Sequence, residues 1–404
     1  MMKQGNNDGT PMPVSLSTKL NRLSEMAKQF PQLRFRTLAH LINEESLTKA
    51  FHELNNDAAA GVDSVTAQEY RNGLPENLKD LHQRLRERRY RAQPLKRVYI
   101  DKADGRKRPL AIPVLEDKIV QKAVINTLNP IYEQDFLPCS YGYRPNRNAH
   151  QAVQALQKAI TLGKVSYVLE ADIERYFDLI VLRHLRDFLQ KRIADKDILR
   201  IIGKWLHVGV IDDDRLLRTQ QGVYQGSVIS PLLANIYLHE VLDYWFKHTV
   251  KPRMRGEVTL IRYADDFVIC FQYRSDAQFM QKALPIRFEE FGLKLNLKKT
   301  RLISFGRFEK ENSEKQNRKP NTFNFLGFTF YCSTSRKGIF TVKSKTMSTR
   351  LHRALSTIGI WCRKNRHLSL YAQWRHLVAV LTGHYNYYGI RANYRSLKKF
   401  FQGV

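Results

Sequence analysis

Hydrophobic and polar positions alternate in two ways along the chain, which predicts an α+β fold. Apolar residues recur every three to four positions where one face of a helix is buried. Such stretches occupy 15–30, 35–54, 67–89, 116–134, 149–162, 182–206, 230–245 and 276–291, and helices return after residue 344. Short β-branched and aromatic runs predict strands. These runs occupy 97–100, 109–112, 165–169, 258–271, 293–305 and 323–330.

The stretch 258–271 predicts a buried hairpin with two carboxylates at its tip. Two apolar, strand-favouring runs flank Tyr263, Ala264, Asp265 and Asp266, and adjacent acids favour a turn. A tip of this kind can hold divalent metal ions. An ordinary Asp-Asp turn is the alternative interpretation. Asp172 follows the apolar run 165–169, so we expect it to face the same way and to supply a third carboxylate.

Two further stretches have the composition of a nucleotide site. The strands predicted at 97–100 and 109–112 flank a tight turn with Lys102 and Arg108 close by. Such cations can neutralise a triphosphate, although a plain surface hairpin would look the same. Gln225 and Gly226 precede a predicted helix, at a point where the backbone can approach a ligand closely.

The net charge of +29, from 67 Lys and Arg against 38 acids, implies a polyanionic partner such as nucleic acid. Residues 315–404 contain 17 basic residues and no acid, so no carboxylate-metal nuclease can lie there. The four cysteines are widely spaced, which favours neither a disulfide framework nor a zinc site. We expect no membrane span and no secretory signal, and therefore a cytoplasmic protein.

The order of several motifs resembles the reverse transcriptases of bacterial group II introns and their domesticated relatives. The matching motifs are RPLAIP at 108–113, YGYRP at 141–145, Asp172 with Phe177, QGSVISP at 225–231 followed by LLAN, YADD at 263–266, Lys299-Thr300, and FLGF at 325–328. The segment LTGHYNYY at 381–388 resembles the thumb, or maturase X region. The resemblance covers roughly residues 35–401.

The resemblance implies a right-hand polymerase with helical and hairpin fingers, an antiparallel-sheet palm and a three-helix thumb. We expect a disordered N-terminus over residues 1–14 and an N-terminal helical extension over 15–58. Fingers would occupy 59–164, a palm including the primer grip 165–342, and a basic helical thumb 343–404.

By the same resemblance, Asp172, Asp265 and Asp266 are the catalytic carboxylates and bind two Mg²⁺ ions, with Mn²⁺ as the alternative ion. Lys299 corresponds to a proposed general acid for the leaving group. The primer grip corresponds to Phe325, Leu326, Gly327 and Phe328. The expected nucleotide-binding residues, among them the steric gate Phe177, are Lys102, Arg108, Phe177, Gln225, Gly226 and Tyr263.

The implied activity is RNA-directed DNA synthesis from dNTPs on an RNA template, yielding cDNA from a primer, with a dedicated intron or non-coding RNA as a further partner. Some positions depart from the family pattern, such as Val223-Tyr224 where Thr-Pro is usual. The chain stops soon after the thumb signature, so we expect it to lack the DNA-binding and HNH endonuclease regions. Two alternatives remain: a maturase that acts mainly as a splicing cofactor, and a host-adopted enzyme of phage defence or repair.

Overall fold

The computed structural model describes residues 15–101, 105–213, 215–218 and 221–404. Residues 1–14, which the sequence predicts to be disordered, lie outside this range. The described chain forms two compact units. The first unit contains the residues up to Phe136 and Ile180–Ile236, and the second contains Leu137–Leu179 and Tyr237–Val404. The chain therefore alternates between them, and the predicted domain boundaries stay predictions.

Helices and strands occupy most of the described residues, as an α+β fold requires. The α-helices are α1 (Leu16–Gln29), α2 (Glu44–Glu53), α3 (Ala67–Arg71), α4 (Leu74–Arg86), α5 (Leu115–Asp135), α6 (Ala149–Leu162), α7 (Tyr176–Leu179), α8 (Leu182–Gln190), α9 (Lys196–His207), α10 (Ser230–Leu238), α11 (Arg274–Glu290), α12 (Glu309–Lys315), α13 (Ser348–Lys364), α14 (Leu370–Tyr388) and α15 (Tyr394–Gly403). The strands are β1 (Leu95–Asp101), β2 (Lys107–Ile112), β3 (Tyr167–Asp172), β4 (Val210–Asp212), β5 (Arg215–Leu217), β6 (Val258–Tyr263), β7 (Asp266–Phe271), β8 (Arg301–Ser304), β9 (Thr322–Phe325), β10 (Phe328–Thr334) and β11 (Phe340–Thr346). No helix among the described residues is both long and apolar enough to cross a lipid bilayer.

The first unit carries a four-stranded sheet in the order β2-β1-β4-β5. β1 and β2 form the predicted antiparallel hairpin, in which Ile100 lies opposite Arg108. The short hairpin β4–β5 extends this sheet, because β4 pairs with β1 in parallel. A small cluster of Leu95, Ala111, Val210 and Tyr224 is buried beside it. The sheet thus joins the β1–β2 hairpin to the segment that leads to Gln225.

The second unit carries a four-stranded antiparallel sheet in the order β6-β7-β3-β8. Its core also includes residues of α6 and of a separate three-stranded sheet, β11-β10-β9. Phe323 lies near the middle of this core, where its ring centroid is 4.8 Å from that of Phe305 and 4.9 Å from that of Phe330. Helices α13, α14 and α15 follow β11, as the sequence predicts for the end of the chain.

Several sequence predictions require correction. The stretch 182–206 is two helices, because Asp195 begins the second one by accepting from the Asp197 and Ile198 amides. The stretch 67–89 likewise divides into α3 and α4. The stretch 35–54 is an α-helix only over Glu44–Glu53, which Asn43 caps by accepting from the Ser46 amide. The stretch 293–305 is a strand only over Arg301–Ser304.

The stretch 323–330 is a hairpin rather than one strand. Phe325 pairs with Phe328, and the two residues between them, Leu326 and Gly327, have φ of 50° and 77°. Positive φ at both central residues is the type I′ geometry that matches the twist of paired strands.

Candidate functional site

The carboxylate centre lies where β6 and β7 turn and where β3 ends. Tyr263 pairs with Asp266, so Ala264 and Asp265 form a two-residue loop, and Ala264 has a φ of 56°. On its other side, β7 pairs with β3, and Asp266 lies directly opposite Asp172. The hairpin tip and the third carboxylate expected from the sequence are therefore brought together. Asp172 is the last residue of its strand rather than the residue after it.

Negative charge accumulates at this centre. Desolvation, followed by the charges of Asp265 and Asp172, raises the pKa of Asp266 to about 7, and Lys299 opposes this shift. Desolvation and neighbouring carboxylates both disfavour the ionised form of a carboxyl group. The centre therefore favours a cation that can neutralise more than one carboxylate.

Two polar side chains hold Asp172 from the segment after α11. The Lys299 ammonium group lies 2.8 Å from Oδ2 of Asp172, and the Asn296 side-chain amide donates to the same oxygen at 3.2 Å. The Asn296 backbone N–H also donates to the Asp172 carbonyl at 2.8 Å. This double attachment explains why the segment turns here instead of continuing as a strand.

The donor set suits Mg²⁺ or Mn²⁺, which prefer carboxylate oxygens. Asp172, Asp265 and Asp266 come from adjacent strand ends, and the charges of Asp265 and Asp172 add to the desolvation that raises the pKa of Asp266. Within residues 15–101, 105–213, 215–218 and 221–404, no three His, Cys, Asp or Glu side chains are already arranged as a metal-ligand set. Oδ2 of Asp172 instead accepts from Lys299, so an ion that bound through this oxygen would share it with the lysine or displace the lysine.

A buried ion pair lies beneath the hairpin tip. Arg262 of β6 and Asp243 are both fully buried. Nε of Arg262 donates to Oδ1 of Asp243 at 2.7 Å, and Nη2 donates to Oδ2 at 2.5 Å. Burial opposes the charge of Arg262, but Asp243 more than offsets this and raises the pKa of the guanidinium. Nη1 of Arg262 donates to the carbonyl of Ala264 at 3.0 Å, inside the loop that carries Asp265.

The predicted gate, Phe177, belongs to α7, five residues after Asp172. It is 9% exposed, and its ring centroid lies 5.6 Å from that of Tyr176. Tyr263, the other nucleotide-binding residue expected in this unit, is half-buried and packs against the core cluster of the second unit. The burial of Phe177 fits both a side chain that blocks a 2′-hydroxyl and an ordinary core residue. Its role as a steric gate therefore stays a prediction.

The remaining nucleotide-binding candidates belong to the first unit. Arg108 is exposed on β2, and Lys102 lies outside the described residues. The Ala111 amide donates to the Gln225 carbonyl at 2.7 Å. Gly226 has a φ of 109°, and a Cβ there would lie 3.0 Å from the Ala111 carbonyl oxygen. The structure thus joins β2, which carries Arg108, to the Gln225-Gly226 loop, and glycine is required at that junction.

The predicted primer-grip residues form the β9–β10 turn and its flanks. Phe325 and Phe328 are buried, and Phe328 stacks on Tyr387 with centroids 5.8 Å apart. The Tyr387 hydroxyl donates to the Leu326 carbonyl at 2.9 Å. Within the second unit, α14 therefore holds this turn directly.

Sequence reasoning missed Arg262, Asp243 and Asn296. A signal for Arg262 was present, because it is the one charged residue in an otherwise apolar run leading to Asp265. An arginine in a buried strand requires a partner. Asp243 and Asn296 had no comparable signal, since each lies in a segment where a polar residue on a solvated face is ordinary.

Comparison with known proteins shows which protein family and which relatives this chain is similar to. The family described as reverse transcriptase (RNA-dependent DNA polymerase) matches residues 100–330. Protein YkfC of Escherichia coli (strain K12) is 34% identical over 286 residues, which are 63% of this chain and 75% of YkfC. The group II intron-encoded protein LtrA of Lactococcus lactis subsp. cremoris is 32% identical over 224 residues, 55% of this chain but 37% of LtrA. An uncharacterized 91 kDa protein in the cob intron of Schizosaccharomyces pombe is 30% identical over 244 residues, 60% of this chain and 30% of that protein.

Proposed function

The chain belongs to the reverse transcriptase (RNA-dependent DNA polymerase) family, of the group II intron type, and we propose that Asp172, Asp265 and Asp266 are its polymerising centre. There it would extend a primer on an RNA template with dNTPs. The observation that carries this proposal is the pairing of Asp172 with Asp266 across adjacent strands, next to Asp265 in the hairpin loop. The family uses a right-hand polymerase fold, and the mixed helices and antiparallel sheets agree with it.

Each residue of the centre has a defined task in the proposed reaction. Asp172 and Asp265, with Asp266 assisting, would hold two Mg²⁺ ions, whose charge would favour ionisation of the primer 3′-hydroxyl and departure of pyrophosphate. Asn296 orients Asp172 by donating to its side chain and to its backbone carbonyl. Lys299 would donate a proton to the leaving group. Although burial opposes it, the contact with Asp172 raises the pKa of Lys299, so the ammonium form persists at neutral pH.

The nucleotide-binding candidates would each have a separate task. Arg108 is exposed on β2 and can neutralise triphosphate oxygens. Gln225 and Gly226 would support the base and sugar through a backbone that no side chain blocks at Gly226. Phe177 would exclude a 2′-hydroxyl and so select dNTPs over ribonucleotides.

A second candidate function is that of a splicing cofactor bound to a structured RNA. The acid-free stretch 315–404 supports it, as do relatives that are themselves intron-encoded. Such a role depends on RNA contacts rather than on Asp265. Splicing rescue by the Asp265→Ala protein would therefore assign this role separately from DNA synthesis.

Primer extension tests the proposed centre. On an RNA template with a DNA primer, dNTPs and Mg²⁺, we expect Asp265→Ala to abolish incorporation while RNA binding by filter retention is unchanged. Asp57→Ala makes the same chemical change at an exposed loop residue and should leave both measurements at the wild-type level. Full incorporation by Asp265→Ala would show that the centre lies elsewhere.

A further inference from the structure

Arg262 makes more contacts than its ion pair with Asp243 requires. In addition to Asp243 and the Ala264 carbonyl, Nη2 donates to the hydroxyl of Ser140 at 2.7 Å. The Arg262 backbone pairs with the same segment, donating to the Cys139 carbonyl at 2.8 Å and accepting from the Tyr141 amide at 2.9 Å. One residue thus ties β6, the helical segment His239–Tyr244 and residues 139–141 together.

The hairpin loop that these contacts reach is conformationally demanding. Ala264 has a φ of 56°, a region that residues with a Cβ rarely adopt. The loop is also enclosed, since Ala264 is 8% exposed. Gly142 packs so closely against it that a Cβ there would overlap the Ala264 backbone nitrogen. A loop in such a state keeps its geometry only while its surroundings hold it.

We infer that Arg262, buried against Asp243, is a positioning residue that holds the Ala264 carbonyl and thereby fixes Asp265 and Asp266 relative to Asp172. This inference rests on the proposed function of those three carboxylates. Arg262 is fully buried, which places it out of reach of a substrate at the surface. It acts through its hydrogen bond to the Ala264 carbonyl, and the ion pair with Asp243 fixes the guanidinium plane from which that bond extends.

The alternative is that the pair only holds β6 to its neighbouring helix. Stability alone is a weak reason for a buried ion pair, because desolvation of two charges offsets much of their attraction, and apolar pairs of similar volume serve as well. Geometry is a better reason, since a planar guanidinium offers several donors in fixed directions. Here the guanidinium of Arg262 donates in different directions to the Asp243 carboxylate, the Ser140 hydroxyl and the Ala264 carbonyl.

Arg262→Lys separates the two possibilities. A single ammonium group can still pair with Asp243, but it cannot also reach Ser140 and the Ala264 carbonyl in the same geometry. We expect the rate per folded molecule at saturating dNTP to fall about 10- to 100-fold, as for losses of groups that orient metal ligands. The half-saturating Mg²⁺ concentration should rise, while the KM for primer-template stays at the wild-type value.

The matched control is Arg318→Lys. Arg318 pairs with the buried Glu309 at 2.6 Å in the same unit, so this variant makes the same substitution at an ion pair outside the hairpin loop. It should lower thermal stability without changing the Mg²⁺ dependence. In an Ala264→Gly background, glycine adopts the loop conformation without strain, so Arg262→Lys should cost less activity there than in the wild type.

A wild-type rate and Mg²⁺ dependence for folded Arg262→Lys would overturn the inference, as would an equal loss in the Ala264→Gly background. If Arg262→Lys does not fold, Ser140→Ala decides, because it removes one hydrogen bond and leaves the ion pair. A smaller rise in the Mg²⁺ requirement supports the inference, and an unchanged requirement contradicts it. These outcomes differ from failure of the proposed function, which would appear as incorporation by Asp265→Ala.

Discussion

At the residue scale, we expect Lys299 and a divalent ion to compete for one oxygen atom of Asp172. Lys299 contacts Oδ2 of Asp172 at 2.8 Å and is 64% exposed. In the proposed mechanism, the same side chain would neutralise the centre before ions bind and turn towards the leaving group afterwards. Its exposure gives it the freedom to do both, since an exposed ion pair contributes little on its own.

This competition predicts the behaviour of Lys299→Met. We expect the half-saturating Mg²⁺ concentration for primer extension to fall about two- to fivefold, the worth of an exposed ion pair. The rate at saturating Mg²⁺ should also fall if the lysine protonates the leaving group. Lys298→Met, at the exposed neighbouring position, is the control for general charge. An unchanged or higher Mg²⁺ requirement for Lys299→Met would contradict the competition.

Asp117, buried on α5, predicts a pH effect on stability. Its carboxylate accepts from the Tyr90 hydroxyl and from the Gln93 amide, but desolvation is the largest influence and raises its pKa from 3.8 to about 6. The folded state therefore binds this proton more tightly than the unfolded state. The stabilisation that this proton gives the folded state is complete below the pKa of Asp117 in the unfolded state. It is lost as the pH rises through the pKa of Asp117 in the folded state.

The measurement is chemical denaturation at about pH 7.5 and about pH 5. Relative to Asp117→Asn, wild type should gain about 1.4 kcal/mol on going to the lower pH, from the size of the shift. Other titrating groups cancel in the difference between the two proteins. Parallel pH dependence of wild type and variant would mean that Asp117 titrates normally.

At the scale of elements, the β9–β10 turn depends on α14. Gly327 has a φ of 77°, and a Cβ there would lie 3.1 Å from the Tyr388 hydroxyl. Gly327→Ala therefore introduces both backbone strain and a contact that displaces Tyr388. We expect the KM for primer-template to rise and product length per binding event to fall, measured with a trap for released enzyme.

Gly338→Ala is the control for that experiment. Gly338 has a φ of 75°, but nothing lies within 4 Å of a Cβ built there. Both substitutions cost roughly 1 kcal/mol of backbone strain, so each should lower stability by at least that amount. Only Gly327→Ala should change primer handling. If both substitutions changed primer handling equally, the assignment of the primer grip to residues 325–328 would be wrong.

The sequence predicts elements of this fold more reliably than it predicts how they turn. Periodicity located both ends of α6, because one face of that helix is buried. The sequence also predicted the β1–β2 hairpin, but its strands, Leu95–Asp101 and Lys107–Ile112, are longer than the predicted runs 97–100 and 109–112. The stretch 323–330 looked like one strand because its residues favour strands throughout, whereas the turn depends on positive φ at Leu326 and Gly327. The segment 293–300 alternates like a strand, yet hydrogen bonds to Asp172 curl it. Tertiary contacts of this kind override local propensity.

The residues of the candidate site likewise include some that the sequence predicts and some that it does not. Asp172, Asp265 and Asp266 were predictable because apolar strands frame them, and the register shows Asp172 opposite Asp266. Residues that hold this centre from a distance in sequence, such as Asp243 for Arg262, become visible only when the packing is known.

At the scale of the whole molecule, charge separates the chain into a mixed part and a purely basic part. All 38 acids precede residue 315, whereas 17 basic residues follow from that position onward. Helices α13, α14 and α15 lie in the basic part and are folded rather than a disordered arm. Asn393 anchors the loop before α15, donating to the Thr346 hydroxyl and to the Tyr388 carbonyl, both at 2.8 Å. The cations of these helices are thus held on a defined surface.

Such a surface predicts binding that weakens steeply with salt, because each phosphate contact releases counterions. Replacing Arg363, Lys364 and Arg366 by Gln removes three exposed cations near the end of α13. We expect the slope of log affinity against log salt, for an RNA–DNA duplex, to become shallower by about 2, at about 0.7–0.9 per contact.

The control for this experiment replaces Lys49, Lys79 and Lys310 by Gln, an equal change in net charge at lysines with acidic neighbours. Filter binding between about 50 and 300 mM KCl, over which the Debye length falls from about 14 to about 6 Å, measures both slopes. If net charge alone governed binding, the slope of log affinity against log salt would decrease by the same amount in both triple variants. A larger loss for the α13 variant would locate the duplex contact on the acid-free helices, where the positive charge is not neutralised by neighbouring carboxylates.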